Sequence, residues 1–132
     1  MKVEELPDEE LTLDRTPYYD LEELTKEVLE EMFGNQYGRV PPIRWTDKAY
    51  STYFGIYRWW EDRDLIQINT VLNSKDVPRD VVKYIIYHEL LHRDNHKHDK
   101  AFRIREREYP SWTEHERFLD FVFPKFNLEY AL

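Results

Sequence analysis

The chain has no cysteine among its 132 residues. Disulfides and thiolate zinc sites are therefore excluded, and any metal must sit on His, Asp or Glu. No apolar run approaches the roughly 18 residues that a membrane span requires. Nor does a basic-then-apolar leader open the chain, so secretion is not signalled and the expected location is the cytoplasm. Basic excess is missing too. The net charge is -8, and residues 1–31 carry it, with three Lys/Arg against twelve Asp/Glu, while the remainder holds sixteen against fifteen. Composition thus offers no generally basic face for nucleic acid. Internal repeats and low-complexity tracts are absent as well.

What is present suits one soluble domain. The chain is 41% hydrophobic and 16% aromatic, enough for a single compact core, and its 35% of charged residues keeps the surface wet. Residues 1–19 read as an acidic lead-in containing Pro7 and Pro17, residues 20–123 as the domain, and residues 124–132 as a tail. Asp20 and Glu23 fit a capping box for a first helix with Leu21, Leu24, Val28 and Met32 on one face and Gly34 as its stop. Val40 to Trp45, interrupted by prolines, can only be an edge or entry strand. Tyr50 to Trp60 and Leu65 to Leu72 predict a hairpin closed by a four-residue loop, Glu61 to Asp64. Asn73 to Asp76 offers an N-cap and Pro78 a first turn for a helix that is apolar nearly all round, from Val81 to Leu91, and hence central and buried. A further helix is expected from near His98 to before Pro110. Ser111 and Glu114 resemble a capping box for a last helix with Trp112, His115, Phe118, Leu119 and Val122 inward, ended by Pro124.

Four of the five histidines fall within eleven residues, in the stretch HELLHRDNHKH, residues 88–98. His88 and His92 stand at i and i+4, about 6 Å apart at Cβ, and can converge on one ion. Glu89 completes H-E-x-x-H, where the glutamate takes a proton from metal-activated water rather than binding the metal. The bland alternative is two helix histidines satisfied by hydrogen bonds. It would leave polar groups buried on an otherwise apolar helix without a use. Catalytic zinc keeps three protein ligands and an open fourth position, so a third is needed. His96 lies about 12 Å along a continuous helix from His88 and cannot share an ion with both other histidines while the helix holds. His98 reaches the pair if the helix turns back after His92, for which Asn95 is suited as a residue tolerant of the left-handed conformation. The downstream candidates are Glu106, Glu108 and His115, of which His115 reads better as a core histidine. His98 is favoured.

Beyond the metal motif the chain carries IQINTVLN, a helix ending YHELLH, His98-Asp-Lys-Ala-Phe102 and EREYPSW. Together these resemble the small SprT-like metallopeptidases, and most closely the minigluzincins, over Tyr50 to Val122. The resemblance implies an α+β fold: a small single-domain zincin with a three-stranded, mostly antiparallel sheet packed on a central HExxH helix and further helices before and after it. It also implies a third histidine ligand, supporting His98, and, in some members, latency through a C-terminal segment that blocks the cleft or is exchanged between molecules. Metzincins share the histidine spacing but require a glycine at the Asn95 position and a downstream methionine, whereas Met1 and Met32 both lie upstream. The DNA-linked relatives carry basic or zinc-ribbon regions not found here.

The activity these features imply is zinc-dependent peptide-bond hydrolysis, with one zinc ion on His88, His92 and His98, Glu89 as base and then acid, and a peptide or unfolded protein as substrate lying along a strand edge. Tyr109 and Tyr57 are oxyanion candidates, although a packed core tyrosine is the better account of each. The apolar tail, PKFNLEYAL, either completes the core or inhibits, in its own molecule or through self-association. Two rival classes remain. One is a zinc-stabilised interaction domain without catalysis. The other is a peptide-holding module using Tyr53, Phe54, Tyr57, Trp59 and Trp60.

Overall fold

The fold begins where Asp20 caps helix α1 (Leu21–Val28), its side chain accepting from the Glu23 N–H at 3.2 Å. A computed structural model describes residues 17–34 and 38–124; the acidic lead-in before Pro17 and the tail beyond Pro124 lie outside the described residues. Leu21, Leu24 and Val28 are buried as their spacing requires. The helix does not continue regularly to Met32: Leu29–Phe33 form a π-helical turn, and Gly34 ends it at φ 61°, a left-handed backbone that glycine adopts without strain.

Three strands follow: β1 (Ile43–Trp45), β2 (Gly55–Trp60) and β3 (Arg63–Ile68), in the spatial order β1-β3-β2. The sheet is mixed. β2 pairs antiparallel with β3 over six residue pairs, and β1 pairs parallel with β3 over three, so among the described residues both β1 and β2 are edges. Pro41 and Pro42 precede β1, consistent with an edge position, since neither can donate to a ladder. The hairpin is tighter than its sequence suggests: Trp60 pairs with Arg63, leaving a two-residue turn in which Glu61 has φ 50°. Its first arm is also shorter. The buried Asn69 donates through Nδ2 to the Tyr50 and Tyr53 carbonyls, at 2.6 and 2.8 Å, which holds residues 50–53 in a loop instead of a strand.

Helix α2 (Arg79–Leu91) crosses the centre, and every residue from Val81 to Leu91 is buried. Its start differs from expectation. Pro78 is the residue before the helix, and no side chain caps it. Asn73 is instead engaged by the Tyr18 N–H at 2.7 Å, and Ser74 by the Asp76 N–H at 3.1 Å. The one lysine on this buried helix, Lys83, is matched by Glu27 and Glu31 from α1 and its π-turn. Helices α3 (Lys100–Glu106) and α4 (Trp112–Val122) then close over α2. The capping box at Ser111 does not form, because Ser111 is itself left-handed at φ 59° and its side chain makes no cap. His115 and Leu119 face inward, but Val122 is 43% exposed, since α4 has reached the edge of the core there. The domain is thus α+β, with four α-helices and a three-stranded sheet among the described residues. Among the described residues no helix is long and apolar enough to cross a membrane.

Candidate metal centre

The site is built where α2 ends. His88 and Glu89 lie on its last full turn, and His92 is the residue that terminates it. The helix tightens there: the N–H groups of His92, Arg93 and Asp94 bond to the carbonyls of Glu89, Leu90 and Leu91, each 3.1 Å away and three residues back. Asn95 does not adopt a positive φ, contrary to the role expected of it. It works through its polar groups. Its Oδ1 accepts from the Lys97 N–H at 3.0 Å and its Nδ2 donates to Asp99 at 2.8 Å, while Asp99 in turn caps α3 by accepting from the Phe102 N–H. This short return leg swings His98 back over the helix end.

The three imidazoles converge. His98 Nε2 lies 3.0 Å from His92 Nε2 and 3.3 Å from His88 Nε2. A tetrahedral zinc with nitrogen ligands at about 2.0–2.1 Å calls for nitrogens about 3.4 Å apart, close to this spacing. The rear nitrogens are occupied. His92 Nδ1 donates to the Asn95 carbonyl at 3.0 Å, and His88 Nδ1 hydrogen-bonds the Glu106 carboxylate. A carbonyl only accepts, so His92 carries its proton on Nδ1, and a carboxylate partner favours the same tautomer for His88. Both then turn bare Nε2 lone pairs toward one point. Burial, with the His88 ring next in weight, pushes His92 down to about 3; burial, then His88 and Arg103, push His98 down to about 4. Those two rings are neutral at physiological pH. Lone pairs crowded together in this way are mutually repulsive unless a cation lies among them, so the three histidines are positioned to bind a metal ion. The Phe102 ring packs against all three, its centroid 4.6–5.1 Å from theirs, and fixes their outer faces.

Glu89 is 1% exposed, with Oε2 4.0 Å from His88 Nε2. Burial, and then the nearby Glu106, push its carboxyl well above the ordinary range. Its Oε1 has no hydrogen-bond partner among the described residues, which is costly for a buried carboxyl without a further role. Opposite lies Gly55, where a Cβ would come within 2.9 Å of Glu89 Oε2 and 3.1 Å of Ile85. Only a glycine lets the start of β2 lie this near to the carboxyl. His88, Glu89 and Gly55 line a cavity of about 240 Å³ that extends toward Arg103 and Glu116.

A family model for the YgjP-like metallopeptidase domain matches residues 21–121. The chain belongs to this family. Among curated proteins and solved structures nothing matches. The YgjP-like domain runs from the first residue of α1 almost to the end of α4, so it contains the sheet, the histidine cluster and Glu89. This agrees with the resemblance to SprT-like metallopeptidases drawn from the motifs.

The other sequence candidates of this YgjP-like chain fall elsewhere. Glu106 is not beside His98 as a rival ligand; it stands behind His88 and is held by Arg103 Nη1 at 2.9 Å. Burial alone would raise its carboxyl, but the His88 hydrogen bond and then Arg103 bring it below the ordinary value. Glu108 is exposed. His96 is exposed and stacks on Trp59, centroids 3.7 Å apart. His115 is buried against Tyr84 and Tyr109, its Nε2 3.1 Å from the Pro110 carbonyl, a core histidine as read. Tyr57 spends its hydroxyl on Asp64 at 3.1 Å, and Tyr109 packs in the core against Tyr87. Gly55 and the orienting role of Glu106 were missed. A lone glycine inside a β-rich run is a signal of close backbone approach, and it was there to be weighed.

Proposed function

We propose that the chain is a zinc-dependent metalloendopeptidase in which His88, His92 and His98 hold one zinc ion and Glu89 transfers protons. The observation that carries this reading is the convergence of three Nε2 atoms beside a buried glutamate that opens onto a cleft and whose Oε1 has no hydrogen-bond partner among the described residues. The donor set is all nitrogen, with a carboxylate behind His88 and a backbone carbonyl behind His92, which suits zinc. The bound ion would act as a Lewis acid, acidifying water and polarising the scissile carbonyl.

The remaining chemistry belongs to the chain. Glu89 takes the proton of the attacking water and delivers it to the leaving amine, a role favoured by the high proton affinity that its burial confers. Glu106, by accepting from His88 Nδ1, holds that ring with Nε2 forward. Among the described residues β2 is an edge strand that starts at Gly55 beside Glu89, and an extended substrate added there as a strand would bring its backbone to the carboxyl. The proposed substrates are peptides or unfolded proteins, and the proposed location is the cytoplasm; nucleic acid is not expected as a partner. The segment after Pro124 is proposed to restrain the enzyme, in its own molecule or in a second copy. Phe123, which leads into it, packs on Phe54 of the cleft wall at 5.6 Å.

The test is zinc analysis of the protein and of His98→Ala, followed by a casein-type cleavage assay of the protein and of Glu89→Gln. We expect one zinc per chain, lost in His98→Ala, and cleavage abolished in Glu89→Gln while zinc and fold persist. A structural-metal domain would unfold on chelation and ignore Glu89→Gln. A peptide-holding module would bind peptides equally without metal.

A further inference from the structure

Besides Glu89, the cleft is lined by Tyr84, Arg103, Glu106, Arg107 and Glu116. The carboxylates there already have partners. Glu106 accepts from His88 and from Arg103 Nη1, and Glu116 accepts from the Tyr84 hydroxyl at 2.6 Å. The guanidinium groups are not matched in the same way. Arg107 forms no ion pair among the described residues and lies with its Cζ 5.0 Å over the Trp112 ring. Arg103 commits a single Nη1 to Glu106. A guanidinium presents several N–H donors in a planar fork, so the unmet capacity of this wall is for an acceptor.

Arg103 and Arg107 are also one helical turn apart along α3 and its end, which puts them on the same side. Each guanidinium lies over an aromatic ring, Arg107 over Trp112 and Arg103 over Phe102 with its Cζ 5.9 Å from the centroid, contacts that favour a held position. A fork held in this manner recognises a carboxylate bidentately better than a lysine would.

We propose that Arg103 and Arg107 form a carboxylate-binding subsite that favours peptides bearing a carboxylate next to the scissile bond. The carboxylate is that of a chain terminus or of an Asp or Glu side chain. The proposal rests on the peptidase reading of the Glu89 site, because the cavity that the arginines line is the one that Glu89 opens into. Arg103 also steadies Glu106 and therefore His88, which makes Arg107 the cleaner probe.

The experiment measures equilibrium binding of N-acetylated hexapeptides to zinc-loaded Glu89→Gln protein, alone and combined with Arg107→Gln. One peptide pair differs by a C-terminal carboxylate against its amide, the other by an internal Glu against Gln. The carboxylate member of one pair should bind about tenfold more tightly, the scale of one charge-assisted hydrogen bond, and Arg107→Gln should erase the difference with zinc content unchanged. The pair that responds identifies the source of the carboxylate. Equal affinities within both pairs, including no binding of any peptide, overturn the proposal. If the Glu89→Gln protein does not fold, the same pairs are compared in wild-type protein as competitors, and equal inhibition constants overturn it likewise. Cleavage by wild type is read separately. A binding preference without cleavage sinks the peptidase reading and leaves the subsite, whereas cleavage without preference does the reverse.

Discussion

Gly55 faces Glu89 so closely that a single added methyl would sit 2.9 Å from the carboxyl Oε2. Strand β2 and helix α2 therefore share the space in which the proposed proton transfer occurs. Gly55→Ala must displace Glu89 or Ile85, at an overpacking cost of about 1–3 kcal/mol. We expect kcat/KM to fall at least about tenfold, since small misplacements of a catalytic group are expensive, with zinc content retained. Wild-type kcat/KM in the variant would show that Glu89 position does not govern the rate.

Glu106 hydrogen-bonds the candidate metal site through the back of His88. Glu106→Ala should weaken zinc binding by roughly 10–100-fold, the range for loss of an orienting partner. Glu106→Gln, which keeps an acceptor for Nδ1, should lose less. Competition titration with a chelator measures both, and equal zinc affinity in all three proteins would rule out the orienting role.

Acid should act on the far side of α2. The hydrogen bond from Arg79 holds the Glu27 carboxyl down to about 2, against the opposing effect of burial and with help from Lys83. Because the folded value is the depressed one, the stability this pair contributes is fully present above about pH 4.5 and is lost as pH falls toward 2. Glu27 is partly exposed, so the contribution is modest, about 1 kcal/mol or less. Thermal unfolding of wild type and Glu27→Gln across that window should show curves that differ at neutral pH and merge below about pH 2. A constant offset at every pH would remove the electrostatic explanation.

Lys83 is a harsher case. It is 5% exposed on α2, and its ammonium is held by Glu31 and Glu27. Removing both acids, as in the Glu27→Ala/Glu31→Ala double variant, would leave a buried charge without a partner and should cost about 3–5 kcal/mol. Urea unfolding should report the loss, and adding Lys83→Met should recover much of it. No recovery would mean that the acids matter for another reason.

Truncation after Phe123 addresses the proposed restraint. The shortened protein keeps every buried residue of the described core, of which Leu119 is the last in sequence, and folding is checked by thermal unfolding. Activity on an unfolded substrate should rise. A folded, zinc-loaded truncation with unchanged activity would dispose of the latency idea.

Local chemistry accounts for the parts legible in the sequence. The i, i+4 spacing of His88 and His92, the all-round apolar character of α2, and the Asp20 cap of α1 depend on neighbours a few residues away. Caps proposed at Asn73 and Ser111 failed for the opposite reason. Asn73 found a better partner in the distant Tyr18 N–H, and Ser111 took a left-handed conformation at the entry to α4. Similarly, the expected start of the first hairpin arm was lost to Asn69, whose amide claims two carbonyls of that segment.

His98 lies between these limits. Its distance along the chain from His92 required a reversal, and the reversal occurs; but it is made by three-residue hydrogen bonds and by the Asn95–Asp99 contact, with no left-handed residue. By itself the sequence determined the candidate ligand types, their spacing and the buried helix that carries two of them, because these follow from helical periodicity and from the absence of cysteine. Only the tertiary structure decided that Gly55 presses on Glu89, that Glu106 backs His88 and that the Arg103 and Arg107 side of α3 lines the same cleft as Glu89, since each joins elements whose separation in sequence carries no periodic signal.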